Sequence, residues 1–208
     1  MGQLYIQYGC GFSAPVEWRN FDASPTLRFE KLPVIGKLYK KNGVRFPANI
    51  EYGDIIRGLP VPSNSCSGIY ASHILEHLAL NDFRIALKNT YGLLGPGGIF
   101  RLIVPDLETL AGKYLQSKDA AAAEMFMRET SLGMEQRPRG VKALLTSFLG
   151  NSMHLWMWDF KSLARELAAA GFVDIRRCEF GDSSDPMFAL VEDAERFVDA
   201  VAVECRKL

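Results

Sequence analysis

The sequence predicts an α/β protein: a three-layer, doubly wound domain around a mostly parallel seven-stranded sheet, with an antiparallel edge strand and a variable helical insertion. Three observations predict it. Short β-rich runs alternate with helix-like stretches along most of the chain, the pattern of a parallel sheet covered by helices. Several of those runs stop in glycine or aspartate, as strands do at the ligand edge of such a sheet. The last two runs are joined by a loop without a clear helix, which permits an antiparallel strand.

The elements follow in order. Leu4 to Tyr8 is an apolar run that ends in Gly9-Cys10-Gly11, a turn where backbone and ligand can approach closely. Val16 to Phe21 is a second short run, and it ends in Asp22. A carboxylate at that tip can accept from a ribose diol. Leu27 to Leu32 reads as one or two helical turns. Lys37, Lys40, Lys41 and Arg45 read as a solvated face. Asn49 to Tyr52 is a third strand running into Gly53-Asp54. Ser67 to Ser72 is a fourth, apolar enough to be buried on both faces, and His73-Ile-Leu-Glu-His77 follows at once.

Asn81 or Asp82 is the predicted cap of a helix over Phe83 to Tyr91. Gly92 to Gly98 reads as a multi-glycine turn, Ile99 to Val104 as the fifth strand. Leu107 to Tyr114, Ala120 to Arg128 and Val141 to Leu149 read as helical, with a loop over Gly133 to Gly140. Asp159 should cap a helix to about Ala170 that Gly171 closes. Phe172 to Phe180 is a sixth strand. Ala200 to Cys205 is read as the seventh, with an amphipathic helix over Val191 to Val203 as the rival reading.

Composition narrows the function. The chain has 208 residues, enough for one domain over residues 1–208. Lys+Arg and Asp+Glu number 24 each, so no basic excess points to nucleic acid as a partner. Cys10, Cys66, Cys178 and Cys205 form no CxxC pair, which fits reduced thiols in a cytoplasmic protein. The N-terminus lacks a signal-peptide pattern, and no apolar run approaches the ~18 residues of a membrane span.

Taken together, Gly9-Cys10-Gly11, Asp22, Gly53-Asp54, Ser72-His-Ile-Leu-Glu-His-Leu78 and Leu93-Leu-Gly-Pro-Gly-Gly-Ile-Phe100 stand in a fixed order. That order resembles the class I S-adenosylmethionine-dependent methyltransferases, in particular the small single-domain type 11 branch. The late stretch Ala168 to Ile175 resembles that family's final helix-to-strand joint. The resemblance covers roughly residues 4–106 and 154–206, with a lid or substrate-side insertion at about 107–153.

The resemblance implies a Rossmann-like methyltransferase fold and S-adenosylmethionine as cofactor, with S-adenosylhomocysteine as product. It implies that Gly9, Cys10 and Gly11 pass close to the methionine part. Asp22 would hold the ribose hydroxyls, Asp54 the adenine amino group, and Ile55 would lie beside the ring. Ser72 and His73 would line the edge near the sulfonium, with His77 close to the cofactor or packing nearby. The family's usual first helix is missing here, and the glycine motif is short. The acceptor is expected to be a small molecule or glycan methylated at oxygen, without membrane insertion. A cofactor-binding module that has lost transfer activity and serves as a partner or scaffold is the alternative.

Other readings compete at single residues. Gly9-Cys-Gly-Phe-Ser-Ala14 matches the letters of a dinucleotide fingerprint, but Asp22 stands only eleven positions after Gly11; that fingerprint has its acid ~20 residues on. His73-x-x-Glu76-His77 matches an inverted zinc-protease motif. That motif needs one long helix and a further ligand, whereas here it follows a strand and His154 is the one other histidine, so no metal is expected. An acid at a helix start is the plain reading of Glu76. His154 is a candidate general base because imidazole titrates near neutrality. Asp106 is its rival base, or simply an N-cap. Trp156 and Trp158 read as core or lid.

Overall fold

In the computed structural model of the chain, residues 3–32, 45–135 and 153–208 are described. The readings at Lys37, Lys40 and Lys41, at 141–149 and over most of the 133–140 loop lie outside them. Seven strands form one sheet in the order β3-β2-β1-β4-β5-β7-β6. They are β1 (Leu4–Tyr8), β2 (Arg19–Asp22), β3 (Ile50–Tyr52), β4 (Cys66–Ser72), β5 (Leu94–Pro105), β6 (Val173–Arg177) and β7 (Ala200–Arg206). Strands β1 to β5 pair in parallel. Strand β7 runs antiparallel to both neighbours. It therefore lies one place in from the edge, with β6 outside it. The strand reading of Ala200 to Cys205 holds over its helical rival.

Alternation sorts the core into two faces. On one face Ile6, Tyr8, Ile69, Ala71, Phe100 and Leu102 meet Phe83, Ala86 and Leu87 of α2 (Leu80–Leu93) and Leu163 and Leu167 of α5 (Phe160–Ala169). On the other, Tyr5, Tyr70, Ile99 and Ile103 meet Trp18, Phe188 and Val191. That second cover comes from the β1–β2 connection and from 3-10 turns at Pro186–Leu190 and Ala194–Phe197. The reason is length: the stretch between β1 and β2 is too short for a packed helix, so Trp18 fills the space against Tyr5 and Phe188, with ring centroids 5.3 and 5.5 Å away.

The remaining helices are short. In α1 (Pro25–Glu30), Ser24 caps the Thr26 N–H and Pro25 takes the first turn. Helices α3 (Leu107–Gln116) and α4 (Ala122–Glu129) follow β5. In α5 the Asp159 carboxylate and the Ser162 hydroxyl form a reciprocal capping box.

Three expectations are corrected. Helix α2 begins at Leu80 and is capped by Ala79 without a side-chain bond; its first turn starts earlier, where the Phe83 N–H reaches the Ala79 carbonyl, so Asn81 and Asp82 lie inside the helix. The stretch Gly92 to Gly98 is no free turn, because β5 begins at Leu94 directly after α2. A Cβ on Gly98 would come within 2.9 Å of the Cys66 carbonyl oxygen, so these glycines let β5 run close beside β4. The second strand starts at Arg19, and Val16 is exposed. No helix among the described residues is long and apolar enough to cross a membrane, and all four cysteines are free.

Candidate active site

The strand order reverses its direction of growth at β1 and β4: β2 and β3 add on one side of β1, β4 and β5 on the other. Open α/β sheets bind ligands in the crevice at such a point, outside the carboxyl ends of the strands. Gly9 to Gly11 leave β1 there, and Ser72 and His73 end β4 there. A separate cleft of about 710 Å³, lined by Gln3, Tyr5, Ser67 and Gly97 among others, opens at the opposite ends of the strands. It is far from these residues and is not where this fold builds chemistry.

The glycine turn is held by backbone and carboxylate. Gly9 and Gly11 both have positive φ, +65° and +55°, a region that disfavours side chains. A Cβ on Gly9 would strike the Ile74 side chain at 2.5 Å, whereas one on Gly11 would meet nothing within 4 Å. Gly9 thus makes room for Ile74, and Gly11 faces open space. The Cys10 N–H donates to the Phe21 carbonyl at 3.2 Å. One Asp22 oxygen accepts from the Gly11 N–H at 3.0 Å and the other from the Ser24 N–H at 2.7 Å. Burial raises the Asp22 pKa, and those two N–H donors oppose the rise. Burial, helped by the neighbouring Asp22 carboxylate, pushes the Cys10 thiol up to about 12, so Cys10 stays protonated and is no nucleophile.

Asp54 follows β3 and the Gly53 N–H, which donates to the Asp22 carbonyl at 3.1 Å. One Asp54 oxygen accepts from the Ile56 N–H at 2.9 Å and the other pairs with Arg57 at 3.4 Å. Ile55 is buried in the same core cluster as Phe21. The row Gly9–Gly11, Asp22, Asp54 thus runs across three adjacent strand tips. The open space at Gly11 and the acidic tips fit a nucleoside carrying a small charged tail.

The histidines group differently from the sequence reading. His73, with φ +51°, bonds through Nε2 to the Arg196 carbonyl at 2.8 Å. His77 bonds through Nδ1 to the Met153 carbonyl at 3.0 Å. All three histidines of the chain surround Glu76. His73 Nδ1 stands 3.6 Å from Glu76 Oε1, and His77 Nε2 and His154 Nε2 each stand 3.9 Å from it. The His77 and His154 rings meet edge to face at 4.9 Å. His154 is delivered by backbone bonds: its N–H reaches the Ser131 carbonyl, and the next two N–H groups, of Leu155 and Trp156, both reach the Glu76 carbonyl. Burial holds the His154 imidazole below its ordinary range, against the pull of the Glu76 carboxylate.

Asp106 is engaged as a cap. Its oxygens accept from the Glu108 N–H and the Thr109 hydroxyl, each at 3.0 Å, and Arg177 lies 3.6 Å away. Trp158 is core, stacked on Phe83 at 4.2 Å, while Trp156 is exposed. Sequence reasoning missed Glu76 as a centre; the signal available was the H-x-x-E-H spacing beside the single remaining histidine.

Comparison with known proteins fits this geometry. Residues 7–102 match the family model for a methyltransferase domain of type 11. No curated protein matches the sequence. Among solved structures, an S-adenosylmethionine-dependent methyltransferase from Thermotoga maritima aligns over 100% of this chain and 84% of its own, with TM-score 0.53 and 14% identity. One from Mesorhizobium loti aligns over 99% and 91%, with TM-score 0.51 and 16% identity. A chain of the complex between the Haloferax volcanii Trm112 methyltransferase activator and its methyltransferase aligns over 99% and 82%, with TM-score 0.51 and 13% identity. The structural likenesses carry the fold, and the domain match gives the likeness in sequence: residues 7–102 of this chain are similar to the methyltransferase domains of type 11.

Proposed function

We propose that the chain methylates a hydroxyl of a small-molecule or glycan acceptor, in a cytoplasmic setting, with the cofactor seated across the tips of β1, β2 and β3. When bound, the cofactor supplies an activated methyl on a sulfonium; the protein has to align the acceptor and handle its proton. Gly9, Cys10 and Gly11 line the methionine part through their backbone. Asp22 turns its carboxylate toward the ribose, and two N–H donors fix its orientation. Asp54 and Ile55 border the adenine, and Ser72 and His73 close the crevice at β4. One observation carries this reading: a positive-φ glycine turn tied to the Asp22 carboxylate at the point where the sheet reverses its growth.

The acceptor side is assigned to Glu76, His77 and His154. His154 is favoured over Asp106 because both Asp106 oxygens are engaged in capping α3. A low-pKa imidazole is neutral near pH 7 and can serve an acceptor hydroxyl. Residues 107–153 are the substrate-side insertion of a single domain. A protein partner that activates the enzyme, of the kind seen in the Haloferax volcanii complex, is compatible with this surface.

The test is transfer of labelled methyl from S-adenosylmethionine to a panel of phenols, sugars and amines. The reading expects turnover on at least one hydroxyl acceptor, falling roughly 10²-fold or more in His154→Ala, the usual size of a lost acid–base group. Turnover confined to amines would overturn the assignment to oxygen. Tight cofactor binding without any turnover would favour an inactive module.

A further inference from the structure

The buried carboxylate of Glu76 poses a problem that the protein atoms around it do not solve. Its side chain is 1% exposed, and neither oxygen has a hydrogen-bond partner among the described residues. A buried charge without hydrogen bonds is costly. The neighbouring histidines do not supply donors. A carbonyl oxygen can only accept, so His73 carries its proton on Nε2, toward Arg196, and His77 carries its proton on Nδ1, toward Met153. In the neutral rings, His73 Nδ1 and His77 Nε2 are therefore lone pairs, and they stand 3.6 and 3.9 Å from Glu76 Oε1. If those rings were protonated, the distances would still be too long for hydrogen bonds. His154 Nε2 adds a third imidazole nitrogen at 3.9 Å. Lone pairs crowd an anion, and among the described residues no lysine or arginine pairs with it.

We infer that Glu76, His77 and His154 hold a divalent cation of the zinc class, with His73 beside them, at the acceptor side of the crevice. One ligand atom from each of the three lies within 4.8 Å of the other two. Metal–donor bonds of about 2.0–2.2 Å place tetrahedral ligands roughly 3.3 Å apart, so the two 3.9 Å Glu76–histidine pairs close on an ion by about half an ångström and the most widely spaced ligand atoms, within 4.8 Å, by up to about 1.5 Å. Two imidazoles and one carboxylate suit Zn(II), Fe(II) or Co(II) rather than Mg(II) or Ca(II), which take oxygen shells. His77 makes the outer bond a metal-binding histidine uses: it donates its other N–H to a backbone carbonyl, which fixes the tautomer that leaves Nε2 free. Three protein ligands leave a position open. An acceptor hydroxyl bound there would lose its proton more readily, so His154 serves the acceptor through the ion and not as a free base. This inference deepens the methyltransferase reading and rests on it for its role, though not for the existence of the site. It reverses the expectation of no metal, because the further ligand that the H-x-x-E-H motif lacked is brought in by the fold from 77 positions beyond His77.

The test is a Co(II) titration of the purified full chain after dialysis against a chelator, read by visible absorption and by metal analysis, with S-adenosylhomocysteine binding measured on the same sample. The expected result is one Co(II) per chain with a ligand-field band, displaced by Zn(II). His154→Ala and, as a second variant that keeps side-chain volume, Glu76→Gln should each weaken uptake at least tenfold while circular dichroism stays native. Absence of stoichiometric uptake by the folded wild type overturns the inference, as does uptake unchanged in His154→Ala. The two readings fail separately. Uptake without product-cofactor binding supports the metal site and counts against the methyltransferase crevice; binding without uptake overturns the metal site alone.

Discussion

Two carboxylates are buried in this molecule to nearly the same degree, and their surroundings are opposite. Glu204 lies on β7 and faces Arg101 of β5. Its oxygens accept from Arg101 Nη1 at 2.8 Å, Ser183 at 2.9 Å and Arg176 at 2.8 Å. Arg101, 1% exposed, also reaches Asp182, Glu192 and the Glu179 carbonyl. Glu76 has three histidines around it and no hydrogen bond. In the first cluster every carboxylate faces a guanidinium, and it locks β5, β6 and β7 and the 179–192 segment together. The second is complete only when something cationic enters. A paired buried charge holds a fold, whereas an unpaired one is a place for a ligand or a proton.

The contrast can be broken most sharply at Arg101. Arg101→Met keeps the volume and leaves Glu204, Glu192 and Asp182 without their shared cation. The expected cost is about 3–5 kcal/mol in denaturant unfolding, the usual size for breaking a buried pair. A loss under about 1 kcal/mol would mean that the lock is not what joins the antiparallel strand to the sheet. Acid should open the same lock. At Asp182 burial alone would raise the pKa, but Arg176, the Glu179 N–H and Arg101 outweigh it and bring it down to about 2; Glu204 is lowered in the same way. Because the folded pKa lies below the unfolded one, these carboxylates contribute stability that is present above about pH 4 and is lost toward pH 2. In Arg101→Met that part of the acid dependence should flatten.

The opposite sign is expected at Glu76. In chelated protein, Glu76→Gln removes an uncompensated charge and gives the histidine lone pairs an amide donor. Stability should stay level or rise by about 1 kcal/mol, measured by the same unfolding experiment. A loss of several kcal/mol would show that Glu76 is already paired in the metal-free protein and would erase the contrast between the two clusters.

How much of this was readable in the sequence follows from the range of the forces involved. The runs Leu4 to Tyr8 and Ser67 to Ser72 announce strands because they are short, apolar and β-rich, whereas Ala200 to Cys205 also admits a helical reading. The capped start at Asp159 is a local code and was legible to the residue. The early beginning of β5 was not. Gly95, Gly97 and Gly98 look like a turn until β4 lies alongside and leaves no room for a side chain at Gly98. The position of β7 between β5 and β6 depends on long-range pairing that no local pattern records. The strand-tip residues Gly9, Gly11, Asp22 and Asp54 were legible as a set because each ends a strand. The grouping of His154 with Glu76 was not, because it depends on backbone bonds from Leu155 and Trp156 to the Glu76 carbonyl across nearly 80 positions.

The central claim is that the tips of β1, β2 and β3 hold the methyl-donor cofactor, and calorimetric titration of the purified protein with S-adenosylhomocysteine tests it most directly. The account predicts one site per chain with micromolar affinity, weakened by at least tenfold when Gly11→Val fills the open space beside the turn. No heat of binding from a protein that is folded by circular dichroism would contradict it.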